Sequence, residues 1–198
     1  MRQKALLAVV ALAVLVAVAP MAFASPNLVN NGSFESGDFT GWTQGGNFLA
    51  DVVNFPFSVY STAEDGSWYA VLGSVGSDGT LSQTFATTAG ANYTFSFWFA
   101  SNGDNPSDFS ASWDGVSVLS LTNPNTGIPW SLFSFIETGT GSDTIQFSFR
   151  DDPAWMALDN VSVTQNGGTT PEPSSLLLLG SGLLTVGGVI RRKIKANR

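Results

Sequence analysis

The sequence predicts an all-β protein whose strands pack as a β-sandwich of two antiparallel sheets. Short apolar or alternating runs are separated by Gly, Asn, Asp, Pro and Ser at intervals of roughly eight to twelve residues. No amphipathic helical pattern interrupts these runs. The runs give about nine or ten strands, a number that suits two packed sheets.

The clearest strand covers residues 93–99, where Tyr and Phe alternate with Thr, Ser and Trp98. Because successive side chains of a strand point to opposite faces, the Tyr and Phe side chains are expected in the core. Residues 145–150 repeat the pattern, with Gln146 and Arg150 facing outward. The other predicted strands cover residues 48–53, 68–72, 81–85, 109–113, 116–121, 132–136 and 158–163. The pair Asp114-Gly115 predicts a tight hairpin, because Asp-Gly tolerates the positive φ angles of a two-residue turn.

The first 24 residues have the layout of a secretory signal peptide. Arg2 and Lys4 precede an apolar stretch over residues 5–19, and Ala22-Phe23-Ala24 forms a small-x-small cleavage site. Cleavage between Ala24 and Ser25 is therefore predicted. The alternative is an uncleaved transmembrane helix, which the cleavage site and the preceding Pro20 disfavour.

The C-terminal residues have the layout of a membrane anchor. Residues 176–190 carry no charge and are followed by a basic tail over residues 191–198. A bilayer span needs about 20 apolar residues, with about 17 at the short end, so this predicted transmembrane helix is a short one. The positive-inside rule places the basic tail in the cytoplasm and the rest of the chain outside.

The order of Pro171-Glu172-Pro173, apolar helix and basic stop resembles the PEP-CTERM sorting signal of exopolysaccharide-producing Gram-negative bacteria. The resemblance implies processing by exosortase, a membrane transpeptidase-like enzyme, with cleavage at Pro171-Glu172-Pro173. It also implies export through the inner membrane, anchoring there by the C-terminal helix, and later location at the cell surface or in the extracellular matrix. The alternative is an ordinary single-pass anchor after a Pro-Glu-Pro linker.

Between the two ends, residues 25–166 form the predicted domain, and residues 167–175 form a linker that contains the Pro-Glu-Pro motif. Arg150 is the one basic residue between residues 25 and 170, against 14 acidic ones, so the formal charge of this part is −13. Such a surface repels phosphate backbones, and nucleic acid is excluded as a partner. Acid-rich loops suit Ca²⁺, although they also serve simply to keep an exported domain soluble.

The chain contains neither cysteine nor histidine. Disulfides, imidazole zinc sites and Ser-His-Asp hydrolysis are therefore excluded, and only carboxylate chemistry remains for catalysis. Asp151-Asp152 and Glu64-Asp65 are the acidic pairs available for a glycoside hydrolase. Neighbouring residues of a strand point to opposite faces, and acidic pairs are common in turns, so a non-enzymatic protein is expected.

Two segments carry a second resemblance. The run Asn31-Gly32-Ser33-Phe34-Glu35 near the start and Leu158-Asp159-Asn160-Val161 at the end are similar to the first and last strands of galactose-binding-like, jelly-roll carbohydrate-binding modules. The segment over residues 63–69 and the strands at 82–85 and 93–99 follow in that family's order. The resemblance implies a jelly-roll fold and polysaccharide binding.

In these modules a glutamate of the first motif and an aspartate of the last help to hold a structural calcium, which implies Glu35 and Asp159 here. A physical reason supports the same prediction, because a cation held by both ends of a cysteine-free domain would fasten them together. Asn160 stands where the family often has a second acid, which removes one charge. The alternative is that Glu35 and Asp159 only cap turns.

Sugar rings bind to aromatic faces, so an aromatic side chain that the core does not need is a candidate ligand contact. Trp98 leads, because it lies on the otherwise polar face of its strand. Arg150 and Gln146 lie on the outward side of another strand, and Trp130 and Trp155 lie in or beside loops. The alternative for each tryptophan is inward packing.

The sequence therefore predicts an exported surface or matrix protein with a calcium-stabilised, carbohydrate-binding-like sandwich. The first alternative is a structural component of a biofilm or exopolysaccharide matrix with no specific glycan. The second is a glycoside hydrolase.

Overall fold

Ten strands form two five-stranded antiparallel sheets in a computed structural model that describes residues 25–55, 62–152 and 154–167. The predicted all-β jelly-roll sandwich is confirmed. The predicted signal peptide, Pro-Glu-Pro linker, sorting helix and basic tail lie outside the described residues. Among the described residues no helix is long and apolar enough to cross a membrane.

The first sheet, called sheet A, has the strand order β1-β4-β9-β6-β7, and sheet B has the order β2-β3-β10-β5-β8. The strands of sheet A are β1 (Thr43–Gly46), β4 (Gly79–Ala86), β6 (Ser107–Trp113), β7 (Val116–Thr122) and β9 (Ser142–Asp151). The strands of sheet B are β2 (Ala50–Val53), β3 (Tyr69–Leu72), β5 (Asn92–Asn102), β8 (Asn125–Thr138) and β10 (Met156–Gln165). The chain crosses between the sheets repeatedly, so both ends of the domain lie beside sheet B.

Each strand predicted from alternation is present, and all of them except β2 and β3 extend beyond their predicted bounds. The predicted hairpin joins β6 to β7, with φ angles of 49° at Asp114 and 75° at Gly115. Strand β1 was not predicted, because its sequence Thr-Gln-Gly-Gly has neither apolar alternation nor β-branched runs. It forms because β4 offers it a hydrogen-bonding edge.

The inward faces of the two sheets meet in an aromatic core. Phe97 of β5 packs edge-on against Phe147 of β9 with ring centroids 5.0 Å apart, and Phe99 stacks on Phe109 at 4.1 Å. All four rings are buried. The burial of many aromatic rings supplies the apolar area that a domain without disulfides needs.

The N-terminal segment differs from its expected form as the first strand. Residues 27–37 run beside β10 as a series of turns, with positive φ angles at Asn31 and Phe34 that end regular pairing. Leu28 N–H donates to the Val163 carbonyl at 2.9 Å, and Val161 N–H donates to the Gly32 carbonyl at 2.9 Å. The two ends of the domain are therefore adjacent, as the resemblance implied, but they are joined by isolated hydrogen bonds.

The side chain of Asn27 makes some of the hydrogen bonds that regular strand pairing between the N-terminal segment and β10 would otherwise provide. Its Oδ1 accepts hydrogen bonds from the N–H groups of Val163, at 2.9 Å, and Val29, at 3.0 Å. Its Nδ2 donates to the Val161 carbonyl at 3.1 Å. One amide side chain thus satisfies two backbone donors and one acceptor that would otherwise lack partners.

Candidate functional site

Trp98 lies on the outer face of sheet B, beside the edge strand β8. Its cross-strand neighbours are Asp159 of β10 on one side and Leu132 of β8 on the other. Directly paired residues share a face, so these three side chains form one row across the sheet. Trp98 is half-buried, whereas Leu132 is 53% exposed. Ile136, four residues after Leu132 on the same face of β8, is 61% exposed.

We call this surface the Trp98 face. Besides Trp98, Leu132 and Ile136 it comprises the polar cross-strand partners Ser96, Ser134 and Ser162. An aromatic ring flanked by exposed aliphatic side chains and by hydroxyl groups provides both a stacking surface and hydrogen-bonding groups. The Trp98 face therefore has the chemical composition of a carbohydrate-binding surface.

Trp130 and Trp155 lie on the same outer side of sheet B, but both pack against a small second core. This core consists of Val53, Tyr69, Val71, Ala100 and Ala157. The Trp130 ring meets Tyr69 edge-on at 5.6 Å, and its Nε1 donates to the Thr62 carbonyl at 3.2 Å. The Trp155 ring covers Gly73 so closely that an added Cβ would lie 2.7 Å from it. Packing accounts for much of the surface of both rings.

Arg150 and Gln146 lie on the outer face of sheet A, across the sandwich from Trp98. The Arg150 guanidinium binds both carboxylate oxygens of Asp152, through Nε at 2.8 Å and through Nη2. Asp152 also accepts the Gly76 N–H at 2.7 Å. The hydrogen bonds from Arg150 and Gly76 lower the Asp152 pKa to about 2. The predicted ligand contacts thus divide between two opposite faces, and no single ligand on one face reaches all of them.

Glu35 and Asp159 both fasten the loop of residues 64–68. Glu35 Oε1 accepts the N–H groups of Ser67, at 2.7 Å, and Trp68, at 2.8 Å. Asp159 Oδ2 accepts the N–H groups of Glu64, at 2.8 Å, and Asp65, at 3.1 Å. One carboxylate from each end of the domain therefore holds the same loop.

Sequence reasoning missed the part that this loop plays as the shared partner of Glu35 and Asp159. Gly66 has a φ of 67°, and a Cβ there would collide with the Glu35 carboxylate. Asn160, which stands where the family often has an acid, donates from Nδ2 to Glu64 Oε2 at 3.0 Å. The signal in the sequence was the run Glu64-Asp65-Gly66, in which only the glycine permits the turn.

Asp159 is fully buried, and among the described residues no positive side chain accompanies it. Burial raises its pKa to about 7, against the opposing effect of the backbone N–H groups of Asp65, Asn160 and Glu64, and the charge of Glu64 adds to the increase. Arg150 is the one basic side chain between residues 25 and 170, and it is bound to Asp152 on the other sheet. The carboxyl group of Asp159 therefore lacks the counter-charge that buried carboxylates normally have.

The donor atoms around this loop fit a hard cation. Glu35 Oε2 accepts no hydrogen bond from the described residues, and Asp159 Oδ1 accepts one only from the adjacent Asn160 N–H, at 2.7 Å. Carboxylate and carbonyl oxygens are what Ca²⁺ prefers. No group of three or more Asp, Glu, His or Cys side chains in the described part of the chain is arranged to hold a metal. Backbone carbonyls would therefore have to complete the coordination.

Comparison with known families identifies the C-terminal signal. Residues 169–193 match the family model of the PEP-CTERM protein-sorting motif. The chain carries a PEP-CTERM sorting motif. This motif indicates a secreted protein that exosortase processes. A search of curated proteins found no match to the chain.

Solved structures similar to the domain include several jelly-roll carbohydrate-binding modules. TmCBM61, solved with β-1,4-galactotriose, matches with a TM-score of 0.58 and 20% identity over 72% of this chain and 100% of that one. The CBM22-1–CBM22-2 tandem domain of Paenibacillus barcinonensis Xyn10C matches with a TM-score of 0.55 and 19% identity, covering 78% of this chain and 49% of that one. A cyclase from Fischerella sp. TAU matches with a TM-score of 0.54 and 16% identity, covering 75% of this chain and 100% of that one. At these identities the likeness is one of fold.

Proposed function

We propose that this protein is an exported, non-enzymatic carbohydrate-binding protein that exosortase processes at Pro171-Glu172-Pro173. In this proposal the signal peptide is removed between Ala24 and Ser25, and the C-terminal helix holds the precursor in the inner membrane of a Gram-negative bacterium. The mature domain acts at the cell surface or in the exopolysaccharide matrix of a biofilm. The sorting motif supports export and processing by exosortase, and the fold of the domain supports carbohydrate binding.

The observation that carries the binding proposal is the position of Trp98. Its ring occupies the outer face of a sheet, outside both buried apolar clusters, with exposed Leu132 beside it. A pyranose ring can lie against such an indole, while Ser96 and Ser134 offer hydroxyl groups to the sugar. Trp130 and Trp155 pack against the second core on the same outer side of sheet B.

The outer face of sheet A is a second candidate for glycan binding. Two rows of small polar side chains cross this sheet: Thr80, Ser148, Ser110 and Ser120 form one, and Ser82, Gln146 and Ser112 form the other. Arg150 and the acids that surround it lie at one end. This polar face also suits the alternative of a structural matrix component, in which hydrated hydroxyls and cation-bridged carboxylates contact polysaccharide without a specific site.

We further propose that Ca²⁺ binds Glu35 and Asp159 beside the loop of residues 64–68. The ion would supply the positive charge that buried Asp159 lacks and would join the two ends of the domain. Glu35 and Asp159 orient the loop through its N–H groups, and Glu64 holds Asn160 in place. The ion is structural in this proposal and takes no part in sugar recognition.

A Trp98→Ala variant is expected to lose retention in affinity gels that contain the bound polysaccharide. Loss of one stacking ring should weaken binding roughly tenfold or more, because aromatic contacts dominate such surfaces. The probes are β-1,4-galactan, xylan and exopolysaccharide from an exosortase-containing bacterium, and the protein is the full-length chain in mild detergent. A normal melting temperature must accompany the loss.

Gln146→Ala is the matched control, since this exposed side chain lies on the opposite sheet. It should leave retention unchanged. If Gln146→Ala abolishes retention and Trp98→Ala does not, the binding surface is the outer face of sheet A. If the wild-type protein is retained by none of the three polysaccharides, the proposal of glycan binding is wrong.

A further inference from the structure

Asp151 is a buried carboxyl group without a hydrogen-bond partner. It is the last residue of β9, and it points inward, because Phe149 points inward and Arg150 outward. Its side chain is 0% exposed, and neither Oδ atom accepts a hydrogen bond from the described residues. Nothing in the proposed glycan site or in the Glu35–Asp159 pair uses this group. Leaving a buried carboxylate unpaired is energetically costly, so its environment needs an explanation.

A basic side chain cannot be that explanation. Arg150 points to the outer face of sheet A and is held there by Asp152. Between residues 25 and 170 the chain has no other Arg, and no Lys or His. The carboxyl group of Asp151 is therefore either protonated or neutralised by a cation that residues 25–170 do not supply.

Asp104 brings a second carboxylate to the same place. The turn that contains it is bound to the end of β9, because Asp152 N–H donates to the Pro106 carbonyl at 3.2 Å. Ser107, the cross-strand partner of Asp151, donates its hydroxyl to the Asp104 carbonyl at 2.5 Å. Burial first, and then the charge of Asp104, raise the Asp151 pKa to about 6, with a smaller contribution from Asp152. The backbone N–H of Ala154 opposes this shift, although it does not reach hydrogen-bonding geometry with either Oδ atom.

The fold thus holds the turn that carries Asp104 against the end of β9 that carries Asp151. On the other flank, Asp151 N–H donates to the Ser74 carbonyl at 2.8 Å, so the loop between β3 and β4 also closes over this end of the sandwich. Backbone hydrogen bonds hold all three segments, and none of these bonds neutralises the carboxyl charge. The carboxyl groups of Asp151 and Asp104 offer oxygen ligands, which select hard divalent cations.

We propose that Asp151 and Asp104 hold a divalent cation of the calcium type at the end of the sandwich where β9 meets the turn before β6. This site is separate from the proposed Glu35–Asp159 site, which lies against the loop of residues 64–68. The ion joins the turn of residues 104–107 to β9 and replaces the missing basic partner of Asp151. The inference does not depend on glycan binding.

Calcium binding to the full-length protein in mild detergent, measured by isothermal titration calorimetry at pH 7.5, tests the site. This pH is about one and a half units above the raised pKa of Asp151. Asp151→Asn keeps the shape of the side chain and removes its charge. We expect this variant to bind one calcium ion fewer per chain than the wild type. Asp159→Asn should retain the ion at Asp151, and Asp51→Asn, an exposed acid of β2, is the control for loss of one charge.

Should Asp151→Asn fail to fold, Asp104→Asn provides the second test, because Asp104 is only half-buried. This variant should weaken calcium binding at the site roughly tenfold or more, since loss of a charged ligand reduces affinity for the ion. Unchanged stoichiometry and affinity in Asp151→Asn, or in Asp104→Asn if it alone folds, would overturn the proposal. A melting temperature of Asp151→Asn that exceeds the wild-type value at pH 7.5 regardless of calcium would also overturn it, because Asp151 would then be a buried neutral acid.

Discussion

A Gly32→Ala variant is expected to be severely destabilised. A Cβ at Gly32 would collide with the Val161 carbonyl oxygen and would lie 3.1 Å from its carbon and 3.2 Å from Val29 Cγ1. The colliding atom belongs to the backbone of β10, so it cannot rotate away. The N-terminal segment would have to leave β10, breaking the bond from Val161 N–H to the Gly32 carbonyl. We expect the free energy of unfolding to fall by roughly 3 kcal/mol or more and the melting temperature to fall by about 8 °C or more.

Gly76→Ala is the matched control for this substitution. Gly76 has a φ of 79°, but an added Cβ there meets no atom within 4 Å. This variant should lose only about 1 kcal/mol of unfolding free energy, because alanine is strained in the left-handed backbone conformation of Gly76. Equal melting temperatures for the two variants, measured by intrinsic fluorescence, would show that the N-terminal segment is not fastened to β10 as described.

In EDTA, stability is expected to fall as the pH rises from about 4 to 7. Asp151 and Asp159 have folded-state pKa values of about 6 and about 7, both above the usual value of 3.8 and both raised mainly by burial. A carboxyl whose pKa is raised in the folded state stabilises fully below the unfolded pKa and loses that contribution as the pH passes the folded pKa. At about 1.4 kcal/mol for each pH unit by which the two pKa values are raised, the combined loss of unfolding free energy should be on the order of 7 kcal/mol.

Two other carboxylates make the protein less stable as the pH falls, but only at lower pH values. The pKa values of Asp143 and Asp152 are both lowered to about 2, so their contribution disappears only below about pH 4. For Asp143, burial raises the pKa, but hydrogen bonds from Thr87 and Thr140 outweigh that effect. The stability measured by urea denaturation in EDTA should therefore reach its maximum near pH 4 to 5.

Calcium should remove the decline above pH 4, because bound cations stabilise the ionised forms of Asp151 and Asp159. The double variant Asp151→Asn/Asp159→Asn should also have a flat profile, without any need for calcium. A wild-type profile in EDTA that rises between pH 4 and 7 would contradict the burial of these two groups. A decline that calcium does not affect would exclude both proposed cation sites.

The sequence was sufficient to predict the class of fold because its strands alternate so regularly. The aromatic face of β5 and the Asp114-Gly115 turn are local signals, and both appear where the sequence places them. Strand β1 and the turns at residues 27–37 depend on partners far away in the chain. The pairing of β1 with β4 and the positive φ at Phe34 leave no local pattern that could reveal them.

In the candidate sites, too, the features that depend on distant parts of the chain could not be predicted from local sequence patterns. Alternation correctly places Trp98 outside and Phe97 inside, since that depends only on the strand. It could not show that Trp98 and Arg150 belong to different sheets, because the order of strands depends on crossovers between the sheets. The burial of Asp151 was missed because the predicted strand ended at Arg150, whereas β9 continues to Asp151 and turns it inward.

Glycan-array binding by the full-length protein, with calcium and with EDTA, tests the central claim most directly. The account predicts binding to a defined set of polysaccharide-derived glycans, a loss of that binding in Trp98→Ala, and weaker binding in EDTA at temperatures where the cation-free domain begins to unfold. Failure of the folded, calcium-loaded wild-type protein to bind any glycan, on an array that also includes exopolysaccharide from an exosortase-containing bacterium, would contradict it.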